Sequence, residues 1–295
     1  MKKIISIICF LSINVFCAAQ GDVVVNDGKG NKMLLGKVNR KHFDSDHFDW
    51  FSKNYKAYLT NDKIINKLKK ELSAYKIKAF FGSWCGDSKR NIPIFYKILD
   101  EANFSEKNIE IYAVDKKKEA YKQSPNHEEK GLNIHRVPTF ILYKEGKEVN
   151  RIVEHPVETF ERDLLKIVEG ERYRVKYSAV AFLEKLLTQQ KDSFQKKEKE
   201  LVSFLPDIAQ GVKELNTYGF VKLRANNNEE AKLIFQLNAK MYPNHYIPYQ
   251  SLGSYYYKQK EYKRALKNLY KSLSVYANNE KAKEMIHEIE ASINK

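Results

Sequence analysis

The chain has 295 residues, of which 43% are hydrophobic, and a formal net charge of +15. This length and hydrophobic share suffice for two domains with ordinary cores, which excludes a disordered chain. The lysines are spread through every segment and alternate with glutamates, as in 191–200, so the charge indicates solvated faces and no nucleic-acid partner.

The N-terminus has the composition of a cleaved signal peptide. Two lysines precede a short apolar run, 4–16, and small residues follow up to Ala19. Cleavage after Ala19 is predicted, which places the protein in the periplasm or outside the cell. The run is too short for a membrane span of about 20 residues, and no later stretch is long or apolar enough. A lipoprotein with Cys17 as acceptor is the alternative, and the bulky Phe16 before it argues against that assignment.

Several short elements are predicted before residue 77. Apolar triplets at 23–25 and 33–35 flank a glycine-rich turn and predict a hairpin. The acidic and histidine residues at 44–49 lack the glycine and the closing glutamate of an EF-hand loop, so a polar loop without a metal is predicted. Aromatic residues at 48–55 are expected to pack together, and a helix is predicted over 61–74.

Cys85 is the one cysteine that remains when the signal peptide is removed. In an oxidising compartment an unpaired cysteine is buried, bonded to another molecule or used in chemistry. An apolar run at 77–81 predicts a buried strand before it, and the apolar spacing over 92–99 predicts a helix after it. Free backbone N–H groups and the helix dipole at such a junction favour a thiolate.

The elements after this helix complete an α/β pattern. The sequence predicts a strand at 109–114, an irregular helix within the charged segment 116–131, a hairpin at 140–153 and a helix at 157–168. The order of strand, helix, strand, helix, hairpin and helix predicts a mixed sheet flanked by helices.

The residues from about 61 to 170 resemble the thioredoxin family. The resemblance rests on Trp84-Cys85 after a buried strand, Pro93 inside the following helix, and Val137-Pro138-Thr139 at the start of the hairpin. It implies a thioredoxin-like fold in which Pro138 is cis and lies beside the cysteine, where the neighbouring backbone pairs with an extended substrate segment.

The same resemblance implies roles for the matching positions. Cys85 is the expected catalytic thiol, and the expected substrate-binding residues are Trp84, Gly86, Val137 and Pro138. The implied partner is a client protein with a thiol or a disulfide. No cofactor, no metal and no transmembrane span are predicted, and the protein is expected to be a monomer.

Two departures remove the resolving half of the family's reaction. Ser88 stands where the family has a second cysteine, and Ala79 stands where many members have a buried acid. A single thiol still attacks a disulfide and forms a mixed disulfide, which a client thiol or a small thiol then resolves. The Ser88 hydroxyl is predicted to assist by donating a hydrogen bond to the Cys85 thiolate. Asp87 in the same turn opposes the thiolate, so Cys85 is expected to be reactive but less acidic than in a Cys-x-x-Cys relative.

From about residue 177 the chain has no strand pattern. Small and apolar residues recur at a spacing of 34, as at Gly219 and Gly253 or Ala231 and Ala265. This period resembles two tetratricopeptide repeats, a helical-pair motif that holds protein or peptide partners. Helices within 178–205 are expected to complete the stack and 278–293 to close it. A generic helical bundle is the alternative.

Two functions remain open. In the first, Cys85 forms mixed disulfides with clients that the repeats dock; in the second, the protein is a scaffold that retains the fold without catalysis. The predicted boundaries are 1–19 for the signal peptide, 20–60 for an extension with a hairpin, 61–172 for the thioredoxin-like domain, 173–206 for a helical connector and 207–295 for the repeats.

Overall fold

A computed structural model describes residues 23–189 and 193–293 of the chain, so the predicted signal peptide lies outside the described residues. The strands found there are β1 Val24–Asn26, β2 Lys32–Leu34, β3 Gly36–Val38, β4 Lys76–Phe81, β5 Ile109–Ala113, β6 Thr139–Lys144 and β7 Lys147–Val153. The helices of the first half are α1 Trp50–Ala57, α2 Asp62–Glu71, α3 Gly86–Glu101 and α4 Phe160–Val168. Those of the second half are α5 Ser178–Gln189, α6 Ser193–Lys196, α7 Glu198–Ile208, α8 Lys213–Arg224, α9 Asn228–Met241, α10 Tyr246–Lys258, α11 Tyr262–Val275 and α12 Glu280–Ile293.

The first half is built on a five-stranded mixed sheet with the order β3-β5-β4-β6-β7. The pair β4 and β5 is parallel and the other neighbours are antiparallel, which confirms the predicted mixed sheet. In the register of β4 with β6, Phe80 faces Thr139. Because these two strands run in opposite directions, the end of β4 and the start of β6 lie at the same edge of the sheet, which brings Cys85 and Pro138 together.

The hairpin predicted from the apolar triplets at 23–25 and 33–35 is confirmed, because β1 and β2 pair in antiparallel register, with Val24 opposite Leu34. The edge strand β3 was not predicted, since three residues with a lysine in the middle show no readable alternation. It extends the main sheet through the pairing of Gly36 with Ala113. The backbone N–H of Leu34 donates a hydrogen bond of 2.8 Å to the Ser83 hydroxyl, which ties this segment to the cysteine turn.

The aromatic residues predicted to pack together do so against α3. The rings of Phe51 and Tyr55 stack at 6.2 Å, and Phe51 meets Tyr96 of α3 edge to face at 5.4 Å. Phe48 is also buried, which extends the sheet's apolar core under α1 and α3.

The prediction of a helix within 116–131 is wrong. This segment is a chain of turns with left-handed backbone at Lys122 and His127. Two hydrogen bonds close the loop onto Asp115: its N–H donates to the Gln123 carbonyl, and its carbonyl accepts from the Lys122 N–H, both at 2.9 Å. The hydrogen bonds within the segment close single turns, such as the bond of 2.9 Å from the Gln123 N–H to the Ala120 carbonyl.

The second half of the described chain is entirely helical. Helix α8 packs against α9, and α10 packs against α11, and a glycine lies at each contact. The helices α5 and α7 share a buried core with α8 and α9, and α12 buries Ile286 and Ile289 at the other end. None of the helices found in the described ranges combines the length and the apolar character that a bilayer crossing needs.

Candidate active site

Cys85 is the N-cap residue of α3 and is half-buried. The turn before it is closed by its own N–H, which donates a hydrogen bond of 2.8 Å to the Gly82 carbonyl, and its carbonyl accepts from the Lys89 N–H at 2.9 Å. Its backbone is extended, so the thiol precedes the first helical turn. The predicted position of the thiol, between a strand and a helix, is confirmed.

The Cys85 thiol lies against the segment that leads into β6. Its Sγ donates a hydrogen bond of 3.5 Å to the Val137 carbonyl, and the Val137–Pro138 peptide bond is cis, as the family resemblance implied. The Pro138 carbonyl accepts a hydrogen bond of 2.7 Å from the Glu154 N–H, and Thr139 Oγ1 donates to the Arg136 carbonyl at 2.7 Å. These bonds hold residues 136–139 beside the thiol.

Trp84 and Gly86 are the residues directly before and after Cys85 in the chain. The Trp84 indole N–H donates to the Val114 carbonyl at 2.8 Å, and its ring contacts that of Tyr121, with 5.4 Å between centroids. A Cβ at Gly86 would meet no heavy atom within 4 Å. The helix start next to Cys85 therefore has open space in front of it.

Ser88 is fully buried in the first turn of α3. Its hydroxyl accepts a hydrogen bond of 3.2 Å from the Gly82 N–H. The predicted donation to Cys85 is not among the hydrogen bonds of the described residues, where the thiol pairs with Val137 alone. The reason is geometric: the Ser88 hydroxyl is directed to the loop before the cysteine, and it fixes the backbone that presents the thiol.

A network of charges runs from the start of α3 to the end of β7. Asp87 pairs with Arg90 and lies 3.8 Å from His155 Nδ1, while His155 Nε2 lies 3.5 Å from Glu154. Glu154 also pairs with Arg136 at 3.5 Å. No sequence pattern predicts His155 at this place, because the contact joins residues that only the sheet brings together.

Three members of this network, Asp87, Glu154 and His155, could each offer a ligand atom to a metal, with all three atoms within 4.8 Å of one another. Both carboxylates already have an arginine partner, and positive partners oppose a cation. The arrangement is better explained as ion pairs that partly neutralise Asp87, the carboxylate that was expected to oppose a thiolate.

Two buried basic residues, Lys122 and His135, lie behind the site. The sequence did not predict their burial, because they lie in or near a charged segment. The ammonium group of Lys122 donates a hydrogen bond of 2.6 Å to the His135 carbonyl. Burial, together with the charge of Arg136, lowers the pKa of Lys122 to about 7. Burial likewise lowers the pKa of His135 to about 3. The Nδ1 atom of His135 lies 3.3 Å from the Asn133 carbonyl oxygen, and its Nε2 atom has no hydrogen-bond partner among the described residues. Both groups support the segment that precedes Pro138.

Comparison with known proteins points to one fold family. Residues 41–163 match the family model described as Thioredoxin, a range that includes Cys85 and Pro138. The chain is also 26% identical over 95 residues to Thioredoxin Asp f 29 from Aspergillus fumigatus, which covers 32% of this chain and 79% of that protein. Together with the mixed sheet, the cysteine at the start of α3 and the cis proline beside it, these matches show that the chain contains a thioredoxin-like domain.

Proposed function

We propose that this protein exchanges thiols and disulfides through one cysteine, Cys85, which forms mixed disulfides with client proteins. The observation that carries the proposal is the position of the half-buried Sγ at the start of α3, 3.5 Å from the Val137 carbonyl. The helix start stabilises a thiolate, and the backbone of 137 and 138 offers a surface for an extended polypeptide.

The reaction needs no cofactor. The Cys85 thiolate attacks one sulfur of a client disulfide; a new S–S bond joins Cys85 to the client, and the second client sulfur leaves as a thiolate. That thiolate, another client thiol or a small thiol then attacks the mixed disulfide and releases Cys85. When the attacking thiol belongs to the client, the disulfide is rearranged and nothing is oxidised or reduced overall.

The remaining site residues have supporting roles in this proposal. Trp84, Gly86, Val137 and Pro138 contact the client, and Ser88 positions the loop through Gly82 instead of touching the thiolate. The second half is proposed to dock a protein partner in the manner of tetratricopeptide repeats, and the protein is proposed to act in the periplasm or outside the cell. The 34-residue period and the signal-like N-terminus support these last two points.

Trapping of mixed disulfides tests the proposal. The intact protein is incubated with a small protein that carries a non-native disulfide, free thiols are blocked in acid, and adducts are separated without reductant. We expect a covalent adduct with the natural chain and none with Cys85→Ala. In Ser88→Cys a second thiol is available in the same turn to resolve the adduct, so its lifetime should fall by about tenfold or more.

The scaffold alternative makes the opposite prediction. It requires that Cys85→Ala leave the cellular phenotype unchanged and that the natural chain form no adduct. A thiol that is inaccessible to alkylation, or that reacts no faster at neutral pH than free cysteine, would also rule out the proposed exchange.

A further inference from the structure

A cleft lies between the thioredoxin-like domain and the helices of the second half. It has a volume of about 420 Å³ and is lined by the loop 121–134 on one side and by residues of α5, α8 and α9 on the other. Its end nearest to the cysteine is formed by Tyr121, whose ring contacts Trp84. The client surface beside Cys85 is therefore continuous with a wall that the helical half provides.

Arg224, the last residue of α8, reaches this junction. Its guanidinium lies over the ring of Tyr121 at 5.3 Å and over that of Phe220 at 5.7 Å. Arg224, Tyr121 and Trp84 thus form a continuous row of contacts that ends at the residue before Cys85.

The acidic groups of the cleft are engaged with basic or hydrogen-bonding partners. Lys222 forms ion pairs of 3.0 Å with Glu184 and with Glu230. The carboxylate of Glu129 accepts hydrogen bonds from the N–H and the hydroxyl of Ser124. All three acidic groups of the cleft are thereby engaged, and their attraction for a further cation is reduced.

Arg224, in contrast, has no carboxylate partner within residues 23–189 and 193–293, and it is only half-exposed. A partly desolvated guanidinium binds a carboxylate more strongly than a fully hydrated one, and its planar fork fits both carboxylate oxygens. Its stacking on two aromatic rings fixes its position at little entropic cost.

We propose that Arg224 is a specificity-determining residue of the Cys85 site and binds the carboxylate of an Asp or Glu side chain near the reacting cysteine of the client. The inference rests on the proposed exchange function and adds the kind of client to it: a polypeptide with an acidic residue within a few positions of its cysteine. The helical half then contributes directly to the choice of the client through one side chain at the edge of the active site.

The test compares three peptides that differ in one residue. Each peptide has a single cysteine activated as a 2-thiopyridyl disulfide and carries Glu, Gln or Lys at one position, which is varied from one to four residues from the cysteine. The Cys85 thiolate attacks the cysteine sulfur of the peptide, the new disulfide forms, and pyridine-2-thiolate leaves and takes up a proton. The absorbance of the released thiopyridone gives the rate constant for each peptide.

For the intact natural chain we expect the Glu peptide to react about fivefold or more faster than the Lys peptide at the best position. In Arg224→Gln this ratio should fall to the value measured with free cysteine, and Arg224→Lys should retain part of it. Arg264→Gln is the matched control, since Arg264 also lies over a tyrosine ring, that of Tyr256 at 5.7 Å, but belongs to α11. The ratio of the Glu to the Lys rate constant in Arg264→Gln should equal that of the natural chain.

The ratio is measured within one protein, so it does not depend on the concentration of active thiol. A natural chain without a preference for Glu, or a preference that survives in Arg224→Gln, would overturn the role of Arg224 while the exchange function stands. Failure of all three peptides to react with the natural chain would overturn the exchange function and, with it, this inference.

Discussion

Gly82 decides the geometry of the active site at the scale of single residues. Its N–H donates to Ser88, its carbonyl accepts from Cys85, and the Trp84 indole lies directly over it. A Cβ at this position would come within 2.5 Å of the indole carbon Cε2. Any side chain at position 82 is therefore incompatible with the position of Trp84.

We predict that Gly82→Ala displaces the Trp84 ring and breaks its hydrogen bond to Val114. The free energy of unfolding should fall by about 1–3 kcal/mol, as is typical of overpacking in a buried site. Tryptophan fluorescence and urea denaturation measure both effects, and the rate of adduct formation at Cys85 should fall with them.

Gly86→Ala is the control for this substitution, because a Cβ at 86 meets nothing within 4 Å. Its stability should stay within about 0.5 kcal/mol of the natural chain. An unchanged tryptophan spectrum in Gly82→Ala would contradict the predicted displacement.

At the scale of secondary-structure elements, two glycines set the distance between paired helices. A Cβ at Gly219 would lie 2.5 Å from Phe235 Cε1, and one at Gly253 would lie 2.6 Å from Leu269 Cδ2. Both neighbouring side chains are fully buried, so they have little room to move. The 34-residue spacing of these glycines thus corresponds to two equivalent helix contacts.

We predict that Gly219→Ala lowers the free energy of unfolding by about 1–3 kcal/mol through overpacking. The sign of this change in the free energy of unfolding is diagnostic. In a helix without such contacts, replacing glycine by alanine raises the free energy of unfolding by about 1 kcal/mol. The free energies of unfolding of Gly219→Ala, Phe235→Leu and the double variant form a cycle. A favourable coupling between the two sites is expected, since the smaller leucine makes room for the methyl group. Strict additivity would show that the two residues do not touch.

At the scale of the whole molecule, His135 joins the two halves. Its ring meets Tyr177 at 5.5 Å and Tyr218 of α8 at 6.3 Å, while its carbonyl accepts from Lys122. Arg136 beside it donates to the Lys213 carbonyl at 3.4 Å. The segment before Pro138 is therefore packed between the sheet and the helices.

The low pKa of His135, about 3 in the folded protein against an ordinary value of 6.5, predicts a loss of stability in acid. Between these two values the unfolded chain binds a proton that the folded chain does not, so the free energy of unfolding falls as the pH falls. His135 contributes at most about 1.4 kcal/mol per pH unit to the slope of the free energy of unfolding against pH.

Urea denaturation of the natural chain and of His135→Phe at pH 7, 6, 5 and 4 measures this contribution. The carboxylates of both proteins titrate alike, so the difference between the two isolates His135. The variant should lose less stability than the natural chain as the pH falls from 6.5 to 4. A difference that does not change with pH would show that His135 is not buried in its neutral form.

Local sequence patterns were enough to predict the elements that carry the cysteine. The apolar run 77–81 and the helical spacing after it placed Cys85 at the start of a helix. This prediction succeeded because strand and helix periods depend on neighbouring residues along the chain. The position of Pro138 beside the cysteine was implied by the family resemblance and not by any local pattern.

The sequence by itself determined the strand and the helix on either side of the Cys85 thiol, the serine at position 88 in place of a second cysteine, and the 34-residue period of the second half. Only the tertiary structure decided which groups surround that thiol: β3 at the edge of the sheet, the turns of 116–131, His155 beside Asp87 and Arg224 over Tyr121. A periodic pattern states which face of an element is buried but not which surface covers it. Contacts between residues tens of positions apart depend on how the sheet, its loops and the helical half pack together, and the neighbourhood of Cys85 is built from such contacts.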